Sequence, residues 1–225
     1  MATLARDVVK AEKAAVLTDI ASDYSLGLAS FFEEEFVKLG GKIVASEQAR
    51  GGDNDYRAQL SKIRTTEPDV LLIPWIDKDV ALIARQAREL GIKAVFLGGD
   101  GWDNQEMIEM AGRALEGGYY TSQPSFGRPV TEPFYNEYMK NYGIKPETEA
   151  LFGHDGVMWI VHALKRAGKA DPVALRDALA DTTDFEGLMG RMIIDKATHN
   201  PIKPCSVMTI KEGKIAYVGD FMPAE

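Results

Sequence analysis

Short apolar runs alternate with amphipathic stretches over the first half of the chain. The amphipathic stretches carry apolar residues every three or four positions, a spacing that predicts helices with one buried face. Continuous apolar runs are typical of strands that are covered on both faces. The predicted strands are Ala14–Leu17, Ile43–Val44, Val70–Ile73, Ala94–Leu97 and Gly117–Thr121.

The intervening helices have recognisable ends. Gly40-Gly41 ends the first helix and Gly91 ends the third, because glycine adopts the left-handed conformation of a helix terminus without steric cost. We expect an acid or amide among residues 53–55 to cap the second helix. Strand and helix in this alternation specify a doubly wound α/β domain with a parallel five-stranded sheet. The apolar stripes are Leu26, Ala29, Phe32, Phe36 and Leu39; Tyr56, Leu60 and Ile63; and Val80, Ile83, Ala84, Ala87 and Leu90, and a short helix spans Met107–Ala111.

The alternation stops after Gln123-Pro124. The next 80 or so residues have mainly helical patterns, predicted over Thr131–Tyr142, over Glu147–Ala167 and from Asp171 onward. A strand is not predicted until Met192–Ile194, and a hairpin with Glu212-Gly213 at its turn closes the chain. The long middle helix is apolar over much of its circumference, so it must pack against something. We interpret this helical group as the cover of a second sheet.

The strongest candidate for chemistry lies in the loop Gly98-Gly99-Asp100-Gly101-Trp102, directly after the fourth predicted strand. Ligands of doubly wound folds bind at the carboxyl ends of the strands. Glycines on both sides of Asp100 allow a sharp turn and the close approach of a small molecule. A carboxylate in this position suits an amine.

Each candidate residue also has a plain structural interpretation. Asp100 could brace the glycine-rich turn or cap the helix that follows. Tyr24, in the loop after the first strand, could be a half-buried packing residue. Trp75 and Trp102 could belong to the core or its rim.

Composition excludes several classes of protein. The chain of 225 residues has a net charge of −8, its basic residues are scattered, and a nucleic-acid partner is therefore not expected. One cysteine and three scattered histidines give neither an internal disulfide nor a metal-ligand spacing, so no metal or cofactor is expected. No apolar run is long enough to span a membrane, and the first ten residues lack the apolar core of a signal peptide, so the chain alone is expected to stay in the cytoplasm.

The sequence also offers little for catalysis. His154 and Asp155 are adjacent, but no nucleophile accompanies them, and the first strand is not followed by a dinucleotide-binding fingerprint. The loop around Asp100 lacks the Lys and Ser/Thr of a phosphate-binding loop. We therefore expect no catalytic residues.

Four motifs in order resemble the type I periplasmic solute-binding proteins of ABC importers, specifically the branched-chain amino-acid receptors. They are K-A-A-V-L-T-D-I-A-S-D-Y-S-L-G from Lys13, G-G-D-N-D-Y from Gly51, A-L-I-A-R-Q-A-R-E-L-G from Ala81 and F-L-G-G-D-G-W from Phe96. The resemblance covers essentially the whole chain, which begins where the second lobe of such receptors begins. It implies that residues 1–123 and 205–225 form the second ligand-binding lobe, and that residues 124–204 are helices of an incomplete first lobe.

The resemblance also implies roles for individual residues. Asp100 matches the acid that binds the ammonium group of the ligand, and Tyr24 matches an aromatic residue beside it. The loop after the third strand usually carries a tyrosine, whereas this chain has Trp75-Ile76-Asp77, which makes Trp75 and Asp77 weaker candidates. The implied ligand is an amino acid or amide, and the parent protein would work in the periplasm and dock on an ABC permease.

Three functions stay open at this stage. The first is a solute-binding receptor fragment, with millimolar affinity or none because one wall of the site is missing. The second is a ligand-sensing regulatory core of the same fold, and the third is a self-associating fragment without a ligand. The large apolar residues of the helical segment exceed what one lobe can bury, so we expect a homodimer, formed face to face or by exchange through a hinge near Ser122–Pro124.

Overall fold

A computed structural model describes residues 1–123 and 129–221. The chain forms two compact units. The first unit comprises Met1–Ser122 with Val207–Val218, and the second comprises the described residues of Gln123–Ser206 and Gly219–Glu225. The assignment of these units to two ligand-binding lobes stays a prediction. The proposed hinge reaches Pro124, which lies outside the described residues.

The first unit contains the predicted doubly wound sheet. Its five parallel strands lie in the order β2-β1-β3-β4-β5, and every neighbouring pair is parallel, which confirms the predicted fold class. The order places β1, β3 and β4 side by side, so their carboxyl ends share one edge of the sheet. The strands are β1 (Lys13–Asp19), β2 (Lys42–Ala49), β3 (Val70–Leu72), β4 (Val95–Gly98) and β5 (Tyr119–Ser122).

Helices cover both faces of this sheet. The side chains of successive residues in β1 point to opposite faces, and residues 14–17 are all fully buried, as expected for a strand between two helical layers. Ser22 caps α2 by accepting a hydrogen bond from the Ser25 backbone N–H at 3.2 Å. The helices are α1 (Ala2–Asp7), α2 (Asp23–Lys38), α3 (Arg57–Thr65), α4 (Asp77–Glu89) and α5 (Gln105–Ala111).

Three details of the first unit differ from the sequence predictions. Leu26 and Leu39, assigned to the buried stripe of α2, are exposed to 39% and 42%, because α2 turns only its central apolar positions toward the sheet. The residue that caps α3 is Tyr56 rather than an acid or amide of residues 53–55, and its side chain makes no capping hydrogen bond. The six-residue helix α1 was not predicted; it buries Ala2, Leu4 and Ala5.

The predicted hairpin extends the same sheet. Its strands β9 (Cys205–Lys211) and β10 (Lys214–Phe221) follow β5 in the order β5-β9-β10. Glu212 and Gly213 both have positive φ, at 54° and 70°, as a two-residue type I′ turn requires. The sheet therefore has seven strands, five of them parallel to one another.

The second unit is mainly helical, as predicted. Helices α6 (Glu132–Tyr142) and α7 (Thr148–Ala167) end at glycines in the left-handed conformation, and Asp171 caps α8 (Pro172–Ala180) through the Ala174 N–H at 2.9 Å. A small antiparallel sheet in the order β6-β7-β8 follows. Of its strands, β7 (Gly190–Ile194) contains the predicted segment, whereas β6 (Phe185–Gly187) and β8 (Pro201–Ile202) were not predicted.

Burial within the second unit is sparse. Neither α6 nor α8 has a buried residue, and α7 buries only Leu151, Asp155 and Ala163 over 20 residues. Along α7, Val157 is exposed to 61% and Met158 to 44%. Large apolar side chains of these helices therefore face outward within the described part of the unit.

Within the described residues, no helix combines the length and apolar character needed to cross a bilayer.

Candidate functional site

Three loops of the first unit meet at the carboxyl edge of the parallel sheet. They follow β1, β3 and β4, and with the helix starts directly after them they carry the candidates: Tyr24 in the first turn of α2, Trp75 to Asp77 at the start of α4, and Asp100 to Trp102 after β4. The sequence predicts all five candidate residues in these loops. The structure places two of the five in the core and three at the surface or half-buried.

Tyr24 and Asp100 are brought together although they lie 76 positions apart in the chain. The Tyr24 hydroxyl accepts a hydrogen bond from the Gly101 backbone N–H at 3.1 Å. Burial raises the pKa of this hydroxyl well above its usual value, and the nearby Asp100 carboxylate raises it further, because a second negative charge beside the first is unfavourable. The two residues predicted to bind an amine therefore form one local constellation.

The glycines around Asp100 permit this close approach. A Cβ atom on Gly101 would lie 2.6 Å from Ile76 Cγ2 and 2.9 Å from the Trp75 carbonyl oxygen, both too close for any side chain. A Cβ atom on Gly99 would collide with the Tyr24 hydroxyl and lie 2.7 Å from Leu28 Cδ1. The backbone on both sides of Asp100 is thus packed tightly between α2 and the loop after β3, and Asp100 itself remains exposed.

Trp75 and Trp102 lie in the core. They are exposed to 3% and 0%, and each indole N–H is donated to a backbone carbonyl of a neighbouring strand or its end: Trp75 to Leu17 at 2.6 Å, Trp102 to Ile73 at 3.0 Å. This geometry supports the interpretation that both tryptophans belong to the core, where they fix the loops after β3 and β4 to the sheet. Contact of either residue with a ligand stays a prediction, and their burial does not support it.

Asp77 is exposed at the first position of α4, in a left-handed backbone conformation with φ of 51°. Its neighbour Ile76 is exposed to 54% and packs against Gly101, so it presents apolar surface beside Asp100. Sequence reasoning did not select Ile76, because an isoleucine just after an apolar strand resembles its continuation. The feature of the sequence that could have identified Ile76 was its position between Trp75 and Asp77, the acid with which the next helix begins.

A further carboxylate stabilises the loop that carries Asp100. Asp103 accepts hydrogen bonds from the Tyr120 hydroxyl at 3.1 Å and the Ser122 hydroxyl at 2.6 Å, which ties this loop to β5. Burial, together with the Asp103 charge, raises the pKa of Tyr120 well above its usual value. Asp103 thus has a positioning role, whereas the exposed Asp100 makes no hydrogen bond to the described strand β5.

The adjacent pair His154 and Asp155, in the second unit, is structural. Asp155 accepts hydrogen bonds from the backbone N–H groups of Leu188 at 2.9 Å and Met189 at 2.8 Å, and His154 Nδ1 lies 2.9 Å from Asp155 Oδ1. The carboxylate therefore holds the turn between β6 and β7. Among the described residues, no group of three or more His, Cys, Asp or Glu side chains is placed to hold a metal ion.

The family model and the relatives that match this chain all point to the same family. Residues 1–214 match the family model described as periplasmic binding protein. The Leu/Ile/Val-binding protein homolog 1 of Brucella suis is 30% identical over 193 residues, which are 84% of this chain and 51% of the relative. Homolog 2 of Brucella abortus is 28% identical over 92% of this chain and 56% of its own length. The chain thus spans about half the length of these relatives.

Solved structures give the same result. The leucine-binding protein LivK of Thermotoga maritima is 35% identical with a TM-score of 0.84, over 99% of this chain and 64% of that one. LivJ of Streptococcus pneumoniae, solved in complex with isoleucine, is 31% identical with a TM-score of 0.77, over 99% of this chain and 63% of that one. The resemblance drawn from the four sequence motifs is confirmed.

Proposed function

Because the chain belongs to the periplasmic binding protein family, we propose that it binds a free amino acid or a related amine or amide at Asp100 and Tyr24, as part of the solute receptor of an ABC importer. The observation that carries this proposal is the meeting of these two side chains at the carboxyl edge of β1 and β4. The edge is where ligands of doubly wound folds bind.

The chemistry of the edge fits an ammonium group. The exposed Asp100 carboxylate has oxygen atoms to accept charge-assisted hydrogen bonds, which are about twice as strong as neutral ones. The Tyr24 hydroxyl is held in place by Gly101 N–H and keeps its proton, so it adds a polar group without a competing positive charge. The exposed side chain of Ile76 supplies an apolar wall for the rest of the ligand.

We propose that the chain binds its ligand without chemical change. Support comes from the family and from the roles found for the polar groups: Asp103 and Asp155 are both engaged in fixing backbone turns or strand ends. The parent receptor would then act in the periplasm and deliver its solute to a permease.

Substitution of Asp100 by asparagine tests this function. Loss of one charge-assisted hydrogen bond costs about 1.5–3 kcal/mol, so Asp100→Asn should weaken binding of an amine ligand about tenfold or more. Binding is measured by calorimetry with a panel of amino acids, amines and amides. Asp7→Asn is the matched control, since Asp7 is exposed, ends α1 and precedes β1, away from the carboxyl edge. An Asp100→Asn variant with unchanged affinity would show that the site lies elsewhere.

We also propose that the helices of the second unit are covered by a second copy of the chain. Support comes from the outward apolar residues of α6 to α8 and from a groove of about 740 Å³ between α6 and α7, with Phe134, Tyr138 and Val157 in its wall. An exposed apolar patch of this kind is typical of protein–protein contacts. A twofold homodimer is the commonest closed assembly that hides such a face.

Sedimentation of two matched variants tests the homodimer. Val157→Glu places a charge on α7 and should shift the chain toward the 24.7 kDa monomer at micromolar concentration. Phe31→Glu is the control, because Phe31 is also exposed, to 70%, but lies on α2 in the first unit. A wild-type chain that sediments as a monomer throughout the micromolar range would contradict the proposal.

A further inference from the structure

The loops after β3 and β4 touch beside the proposed site. Gly101 of one loop packs against Ile76 of the other, so closely that a Cβ atom on Gly101 would lie 2.6 Å from Ile76 Cγ2. Asp100 precedes Gly101 and Asp77 follows Ile76 in the chain. Each of the two acids is therefore one residue away from the same contact, and both belong to one patch of the carboxyl edge.

Both carboxylates of this patch lie at the surface, and Asp100 also interacts with the Tyr24 hydroxyl. Asp77 and Asp100 are exposed, and within residues 1–123 and 129–221 neither takes part in an ion pair with a lysine, arginine or histidine. Other acids of the same edge are already used: Asp19 and Asp79 accept hydrogen bonds from the backbone N–H groups of Gly51 and Gly52 at 3.1 and 3.0 Å.

Apolar surface lies next to both acids. Ile76 precedes Asp77 in the chain, is exposed to 54%, and packs through its Cγ2 against Gly101, which follows Asp100. The surface thus offers a negative group, an aliphatic segment and a second negative group. The complementary ligand carries a positive group, a methylene chain and a second positive group.

We infer that the site takes a dicationic ligand, of the class of basic amino acids and aliphatic diamines, with Asp100 on one ammonium group and Asp77 on the other. This inference rests on the proposed function. A ligand with a neutral aliphatic side chain would bring apolar atoms against the Asp77 carboxylate and remove water from it without giving it a partner, which is unfavourable. Asp77 therefore determines specificity in favour of the second cation.

Lysine and norleucine form the ligand pair that isolates the contribution of the second positive charge at Asp77. They have the same carbon skeleton and differ by the side-chain ammonium group. We expect the wild-type chain to bind lysine about three- to fivefold more tightly than norleucine, because a charge pair at an exposed site contributes up to about 1 kcal/mol. Raised ionic strength should shrink the ratio, because exposed charges are screened. Affinities are read from amide chemical shifts during titration, a method suited to weak binding.

Asp77→Asn is the decisive variant. Asparagine tolerates the left-handed conformation of residue 77 nearly as well as aspartate, so the backbone is preserved while the charge is lost. The lysine-to-norleucine ratio should fall to about one, with norleucine affinity retained or improved. Asp7→Asn, with the same change in net charge, should leave the ratio unchanged.

Each outcome of this titration has a distinct meaning. Norleucine or leucine binding as tightly as lysine, in an Asp100-dependent way, would overturn the dicationic ligand and leave the proposed function standing. A ratio that Asp77→Asn does not change would also overturn it. If no amine of any kind bound, the proposed function itself would fail and this inference with it.

Discussion

The helices of the two units carry similar patterns of apolar and polar residues, but the units bury their apolar residues very differently. Among the described residues, 43 hydrophobic residues are buried; 38 of them lie in the first unit and five in the second. The first unit has helices on both faces of its sheet, whereas α6 and α8 of the second bury no residue at all. The pattern of a helix thus shows which face is apolar without showing whether the same chain covers it.

This contrast bears on function. A ligand site needs side chains held in place by a packed scaffold. Trp75 and Trp102 provide such support in the first unit, each by a hydrogen bond between its indole and a backbone carbonyl of the sheet or its edge. The second unit presents instead a broad apolar surface, which suits contact with another protein surface.

A matched pair of leucines gives the largest expected difference between the units. Leu60 and Leu175 are each the fourth residue of a nine-residue helix, α3 and α8. Leu60 is fully buried, so Leu60→Ala should lower the free energy of unfolding by about 2–5 kcal/mol. Leu175 is only partly buried, so Leu175→Ala should cost less than about 1 kcal/mol in the monomer. Urea unfolding followed by circular dichroism, at low protein concentration, measures both.

If both substitutions lowered the free energy of unfolding equally, α8 would be as well packed as α3, and the contrast between the units would be wrong. A loss of stability for Leu175→Ala that grows with protein concentration would strengthen the contrast. Such growth is expected if a second copy covers α8, because association adds to the apparent stability by mass action.

Tyrosine ionisation gives a smaller effect, which involves three tyrosines of the first unit. Burial raises the pKa of Tyr24, Tyr56 and Tyr120, with nearby aspartates adding to it. Because the pKa of these hydroxyls is higher in the folded chain than in the unfolded chain, the folded state binds their protons more tightly. The resulting stabilisation is complete below the ordinary tyrosine pKa of about 10 and is lost as the pH rises beyond it.

Phenolate absorbance measures this effect. We expect Tyr24, Tyr56 and Tyr120 to resist ionisation between pH about 10 and about 12 while the chain is folded, and to ionise on unfolding in urea. Tyr120→Phe should lower the resistant number by one. If all eight phenols ionised together in the folded chain, the burial of the first unit would be contradicted.

Much of the fold was predictable from local pattern. Continuous apolar runs located all five parallel strands, and glycines at positions 40 and 91 marked helix ends where the structure has positive φ. Strand β6 was missed because three residues, Phe-Glu-Gly, are too few to show a period. Helix α1 was missed for a similar reason, since its six residues give less than two turns of pattern.

The site was predictable only in part. The glycines around Asp100 and its place after a buried strand pointed to the loop that meets Tyr24 at the carboxyl edge of the sheet. The direction of the Trp75 and Trp102 side chains could not be predicted, because it depends on carbonyls 58 and 29 residues away in the chain. The same long-range packing exposes Ile76 beside Asp100, which no local pattern indicates.

The most direct test of the central claim is to follow amide chemical shifts of the whole chain during titration with lysine and with leucine. We expect at least one of these ligands to shift the amides of Gly99 to Gly101 and of Tyr24, and Asp100→Asn to need about tenfold more ligand for the same shifts. The amides around Val157 on α7 should not respond. Shifts confined to α6 and α7, or no shifts at millimolar excess of either ligand, would contradict a binding site at the carboxyl edge of the first unit.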